Sequence, residues 1–142
     1  MIDRVLVVDD EELVRSFVTA VLNGEVGEIR EAENGQMALD ILADWEPNVI
    51  VLDVAMPVMD GMAFLDAWSR SPGWRRIPVV VASGNVPRGP MWSALVELGV
   101  SDIVKKPFTM GALLEAVRRA ATGQTAGPPS DAPASPPSDP PA

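Results

Sequence analysis

Three short apolar runs in this chain each stop abruptly at a polar residue. Val5-Leu6-Val7-Val8 gives way to Asp9-Asp10-Glu11-Glu12, Val49-Ile50-Val51-Leu52 to Asp53, and Val79-Val80-Val81-Ala82 to Ser83-Gly84. Unbroken runs of this length, without apolar–polar alternation, are what strands buried on both faces require, and such strands belong to parallel sheets. Glu28-Ile29-Arg30-Glu31-Ala32 is more polar and is expected at an edge, and Asp102-Ile103-Val104-Lys105 reads as a fifth strand. Helical spacing fills the intervals. Val14, Phe17, Val18, Val21 and Leu22 make one apolar face. Ala38, Ile41, Leu42 and Trp45 make a second, with Asn34 as N-cap, and Phe64, Leu65 and Trp68 a third. Leu95 and Leu98 lie on a shorter fourth helix ended by Gly99, and Leu113, Leu114, Val117 and Ala121 on a fifth capped by Thr109. Trp45 and Trp68 are expected in the core. Five βα units predict an α/β, doubly wound five-stranded parallel sheet with helices on both faces.

In such sheets ligands bind beyond the carboxyl ends of the strands, where strand order reverses. The residues there are Asp9 to Glu12, Asp53, Ser83-Gly84 and Lys105-Lys106-Pro107. If the first and third strands are neighbours, Asp9, Asp10 and Asp53 converge. Three close carboxylates repel one another, and a divalent cation removes the conflict. A small set of oxygen ligands suits Mg²⁺, which takes one or two carboxylates together with phosphate. Carboxylate-bound Mg²⁺ with a hydroxyl and a lysine on adjacent loops is an arrangement for phosphoryl transfer. With Asp9 and Asp10 as the metal-holding pair, Asp53 is the candidate nucleophile. Strand-end acids taken singly are commonly caps or solvated turns; it is their combination with Lys106 that argues for a site.

Composition narrows the chemistry. The 142 residues suggest one domain and include no cysteine and no histidine, so thiolate and imidazole chemistry are excluded and the chain carries no phosphohistidine of its own. Net charge is −9, which argues against non-specific nucleic-acid binding. The acidity is concentrated: residues 1–66 hold 15 acidic and 3 basic side chains, residues 67–142 hold 5 and 8. No apolar stretch approaches the roughly 20 residues that span a bilayer, and the first apolar run ends at once in acids, unlike a signal peptide. A cytoplasmic protein is expected. Residues 122–142 carry seven of the 14 prolines and no large apolar residue, and are expected to form a disordered tail after a domain at 1–121.

Four segments in order resemble the response regulator receiver domain, the CheY-like family. Val7-Val8-Asp9-Asp10-Glu11 resembles its acidic pair, and Leu52-Asp53-Val54-Ala55-Met56-Pro57-Val58-Met59-Asp60-Gly61 its phosphoacceptor segment. Ala82-Ser83-Gly84 resembles its phosphoryl-binding hydroxyl site, and Lys106-Pro107-Phe108 its K-P-F. The resemblance covers about 120 residues. It implies a flavodoxin-like fold of strand order 2-1-3-4-5. It makes Asp53 the acceptor of a phosphoryl group from a phosphohistidine on a sensor histidine kinase or histidine phosphotransfer protein. It makes Asp9, Asp10, Asp53 and the backbone carbonyl of Ala55 the Mg²⁺ ligands, makes Ser83 and Lys106 the residues that bind the acyl phosphate, and implies a cis Lys106–Pro107 bond. Asp60-Gly61 reads as helix-start chemistry. By the same resemblance Asn85 either tunes the lifetime of the phosphorylated state or is a plain loop residue. Such a domain is not an enzyme in the ordinary sense, beyond transfer to its own Asp and self-dephosphorylation. Output is expected through contact with a downstream protein or onward phosphotransfer.

The chain departs from the family in two places. Ile103 stands where the family usually has an aromatic switch residue, which puts the transmission of the signal in question. Val86-Pro87-Arg88-Gly89-Pro90 precedes the fourth helix, which is expected to start near Pro90, leaving Met91 and Trp92 as loop packing or as exposed partner anchors. The alternative function is a receiver-like interaction module that works without phosphorylation. A phosphate-hydrolysing enzyme is disfavoured because Ala55 occupies the position of a second acid, and a flavin protein because no Ser/Thr/Gly-rich loop follows the first strand.

Overall fold

The computed structural model describes residues 2–53, 60–84 and 89–123. Ala55, Asn85, residues 86–88 and residues 124–142 of the expected tail lie outside these. The elements are β1 (Ile2–Val8), α1 (Glu12–Leu22), β2 (Val26–Ala32), α2 (Gly35–Leu42), β3 (Val49–Asp53), α3 (Gly61–Trp68), β4 (Val79–Ser83), α4 (Pro90–Glu97), β5 (Val100–Lys105) and α5 (Met110–Ala121), with a 3₁₀ turn at Trp74–Arg76. The strands form one parallel sheet in the order β2-β1-β3-β4-β5. β2 is therefore an edge strand, as its polarity predicted.

Alternation along the strands divides the interior into two cores. Leu6, Val8, Ile50, Leu52, Val79, Val81 and Ile103 face α2, α3 and α4, where they meet Ala38, Phe64, Leu65, Trp68 and Leu95. Val5, Val7, Val49, Val51, Val80 and Val104 face α1 and α5, where they meet Val18, Leu22, Leu113 and Val117. Because each strand must satisfy both cores, a one-residue slip would exchange the two sets of side chains, and register is tightly held. Phe64 is fully buried, and truncating such a residue to alanine costs about 3–5 kcal/mol.

Helix starts follow the side chains that precede them. Asn34 accepts from the Met37 amide, Asp60 from Ala63 and Thr109 from Ala112, each satisfying one of the amides a helix leaves unpaired. α4 begins at Pro90, where the missing N–H is harmless, and it is followed by Gly99 at φ +96°. Trp45 is buried, with the Arg30 and Arg4 guanidinium carbons 4.7 and 5.6 Å from its ring centroid.

One expectation about an apolar residue is corrected. Phe17 is not core: it is 39% exposed, and its ring lies 5.7 Å from that of Phe108. α1 buries Val18, Val21 and Leu22 and packs Val14 partly against the same core, while Phe17 stays outside it. Of the two readings of Met91 and Trp92, packing holds for Trp92, which lies in α4 and is half-buried against the α2–α3–α4 core; Met91 beside it is exposed. Ile103 is 3% exposed and already packed inward.

Candidate functional site

The reversal of strand order falls at β1, which has β2 on one side and β3 on the other. Asp9 directly follows β1 and Asp53 ends β3, so the crevice between these strand ends is acidic on both walls. Carboxylate oxygens of Asp9, Asp10 and Asp53 lie within 4.8 Å of one another. Asp9 and Asp53 are 3% and 6% exposed, while Asp10 is at the surface. The group is thus open on one side and closed on the other. β4 and β5 bring up the remaining residues. Ala82 is the register partner of Asp53, and Ser83 follows it, buried at 5%. The Lys106 amide donates to the Ser83 carbonyl at 2.8 Å, fixing the start of the Lys106-Pro107 segment to the end of β4. The Lys106–Pro107 bond is cis.

Lys106 reaches into the acidic group from across the sheet. Its Nζ donates to Asp9 Oδ2 at 3.0 Å and lies 3.6 Å from Asp53 Oδ2 and 3.8 Å from Glu11 Oε1. Burial pushes its ammonium pKa down, but the hydrogen bond to Asp9 and the charges of Asp9, Asp53 and Glu11 outweigh burial, and the pKa stands above the usual lysine value. Among the described residues Lys106 thus pairs with Asp9, Asp53 and Glu11, and Asp10 completes the acidic group.

All described residues expected at the site are brought together: Asp9, Asp10, Asp53, Ser83 and Lys106 sit at the carboxyl ends of four consecutive strands of the order β1-β3-β4-β5. The chemistry of the donors fits Mg²⁺: hard anionic oxygens on rigid strand ends, open on the side of Asp10. Two features escaped the sequence reading. Arg15 of α1 donates from Nη1 to the Asp9 carbonyl at 2.7 Å and from Nε to Glu31 at 3.1 Å. Leu13, Val14, Phe17, Pro107 and Phe108 line a shallow groove of about 450 Å³ that Lys106 shares. Leu13, in the first turn of α1 and off its predicted apolar face, is 84% exposed.

Residues 5–118 match the model of the response regulator receiver domain. The chain belongs to this family. Receiver domains are generally phosphorylated on an Asp and bind Mg²⁺ at an acidic pocket. Among curated proteins, the protein-glutamate methylesterase/protein-glutamine glutaminase of Treponema pallidum is 40% identical over 107 residues, which are 73% of this chain and 26% of that protein. The KDP operon transcriptional regulatory protein KdpE of Escherichia coli is 33% identical over 115 residues, 81% of this chain and 49% of that one. This receiver chain thus spans between a quarter and a half of these relatives' length. Among solved structures, the chemotaxis response regulator CheY4 of Vibrio cholerae has a TM-score of 0.76 at 27% identity, covering 84% of this chain and 99% of that one. Among the described residues no helix of this receiver is long and apolar enough to cross a membrane.

Proposed function

We propose that this receiver domain accepts a phosphoryl group on Asp53 from a phosphohistidine on a sensor histidine kinase or histidine phosphotransfer protein. The single observation that carries this reading is the convergence of Asp9, Asp10 and Asp53 on one point with Lys106 beside them. Asp9, Asp10 and Asp53 would hold Mg²⁺, with the Ala55 backbone carbonyl as a further ligand. When bound, the ion would neutralise oxygens of the transferred group. A carboxylate oxygen of Asp53 attacks phosphorus as the bond from phosphorus to the imidazole nitrogen breaks, and the imidazole leaves with that electron pair. Lys106, held charged by its acidic neighbours, binds a phosphoryl oxygen, and the Ser83 hydroxyl donates to another. Negative charge shed by the donor is thereby met by groups already in place.

The donor would approach across the groove at Leu13, Phe17 and Phe108, because that apolar surface is continuous with Lys106. A histidine-bearing helix with an apolar stripe fits such a face. Leu13→Glu is expected to slow transfer from a phosphorylated protein donor at least tenfold while leaving labelling by a small acyl phosphate within twofold. Equal slowing of both would remove the groove from donor binding.

The decisive experiment is Mg²⁺-dependent labelling of the chain by a phosphorylated histidine kinase, compared with Asp53→Asn. The variant is expected to show no label. Label retained at the wild-type level would overturn the assignment of Asp53. Ile103, already buried, favours a second reading of the output: a module whose partner contacts are the same with and without phosphate. Partner affinity measured in both states separates the two.

A further inference from the structure

Every polar atom of Asp9 is committed. Its amide donates to the Ala32 carbonyl of β2 at 3.1 Å, Oδ1 accepts from the Glu11 amide at 2.9 Å, and Oδ2 accepts from Lys106. Its carbonyl oxygen, at the point where β1 ends, accepts from Arg15 Nη1 at 2.7 Å. Asp10 is the opposite case. Its side chain is exposed and makes no hydrogen bond or ion pair with the described residues, so its position depends on the backbone that carries it. The peptide between Asp9 and Asp10 is planar, so a bond that fixes the Asp9 carbonyl also fixes the plane from which Asp10 departs.

Among the described residues, Arg15 makes that bond and no other at the site. Its side chain is only 14% exposed. Nε is held by Glu31 Oε1 at 3.1 Å, and Glu31 Oε2 accepts from Thr19 Oγ1 at 3.1 Å, one turn further along α1. The guanidinium is therefore aimed by a carboxylate from edge strand β2, which is itself steadied from α1. A planar fork can serve two separate acceptors at once, whereas a lysine ammonium on a flexible stem cannot hold both in a set orientation. Resting on the reading of Asp9 and Asp10 as metal ligands, we propose that Arg15 is a positioning residue that sets the Asp9–Asp10 peptide, and through it Asp10, for Mg²⁺ binding.

Charge alone predicts the opposite result, which makes the idea testable. Arg15 is a cation near an acidic metal site, and by Coulomb repulsion its removal would tighten Mg²⁺. Positioning predicts that removal loosens it. Partners that orient metal ligands commonly change affinity by about 10- to 100-fold. The experiment is a Mg²⁺ titration of the full chain by calorimetry, with the Asp10 and Glu11 amides followed by NMR, and urea unfolding as the check on folding. Arg15→Met is expected to raise the Mg²⁺ Kd about tenfold or more, Arg15→Lys to fall between it and wild type, and Glu31→Gln to change it least, because the amide oxygen still accepts from Nε. A Kd within twofold of wild type in folded Arg15→Met, or a tighter one, overturns the proposal. If Arg15→Met does not fold, Arg15→Lys decides by the same criterion. If wild type itself takes up no Mg²⁺, the metal reading of the site fails and Arg15's role falls with it. If wild type and variants bind alike, only Arg15's role fails.

Discussion

Asp9 and Asp102 are both almost wholly buried carboxylates paired with a cation, and their surroundings could hardly differ more. Asp102 lies on β5 facing α5. Arg119 of α5 meets its Oδ2 from Nη2 at 2.6 Å and from Nε at 3.2 Å, and Asp102 Oδ1 accepts from the Ile103 amide. One guanidinium and one amide satisfy this carboxylate, and Arg119 Nη1 lies 3.6 Å from the exposed Glu115 Oε2 as well. At Asp9, among the described residues, the Lys106 ammonium is shared by Asp9, Asp53 and Glu11, and Asp10 beside them has no described partner. The first region is a closed account of charges that ties the last helix to the edge of the sheet. The second crowds three carboxylates around one point, and such a cluster of anionic oxygens is what a metal site requires.

That contrast can be broken by removing one charge from each region. Arg119→Met leaves a buried carboxylate without its cation and is expected to lower stability by about 3 kcal/mol, read from urea unfolding. A loss under 1 kcal/mol would show that the Asp102 pair is not balanced in the way described. At the acidic group the sign should reverse. Asp10→Asn relieves repulsion and is expected to raise metal-free stability by up to about 1 kcal/mol. In wild type, Mg²⁺ at a hundredfold excess over its Kd would add about 2.7 kcal/mol, and Asp10→Asn should lose most of that gain. Destabilisation by Asp10→Asn in the absence of metal would mean that the crowding is not felt.

The smallest effect concerns Lys106 in the metal-free protein. Its folded-state pKa lies above the unfolded one, so its contribution to stability is complete below about pH 10.4 and is lost as pH rises through the folded value. With no tyrosine, cysteine or histidine in the chain and lysines only at 105 and 106, few other groups titrate there. Above about pH 10, wild-type stability is expected to fall more steeply than that of Lys106→Met. Parallel profiles would place the ammonium outside the field of Asp9 and Asp53.

Much of the fold was legible because its signals are local. Continuous apolar runs imply strands with two buried faces, Asn34, Asp60 and Thr109 mark helix starts, and Gly99 marks an end. The polarity of Glu28 to Ala32 put β2 at an edge without knowledge of its neighbour. The candidate residues were legible too, since strand-end positions follow from the same runs. Illegible were matters of reach and of which element overhangs which. Phe17 and Leu13 share a helix with Val18 and Val21, yet only the latter pair meets the sheet. Arg15 shows nothing in sequence to join it to the Asp9 carbonyl, and Asp102 nothing to choose Arg119, because each pair is made by elements packed across the layer.

By itself, then, the sequence determined an α/β chain with carboxylates, a hydroxyl and a lysine at strand ends, because periodicity and strand length are properties of neighbouring residues. Tertiary structure decided that Asp9 and Asp53 are adjacent, that Lys106 reaches both, and that Arg15 bonds the carbonyl of the peptide between the two acids that follow β1. Those facts depend on strand order and on the packing of α1 against the sheet. They arise only when the two cores on either side of the sheet are filled together.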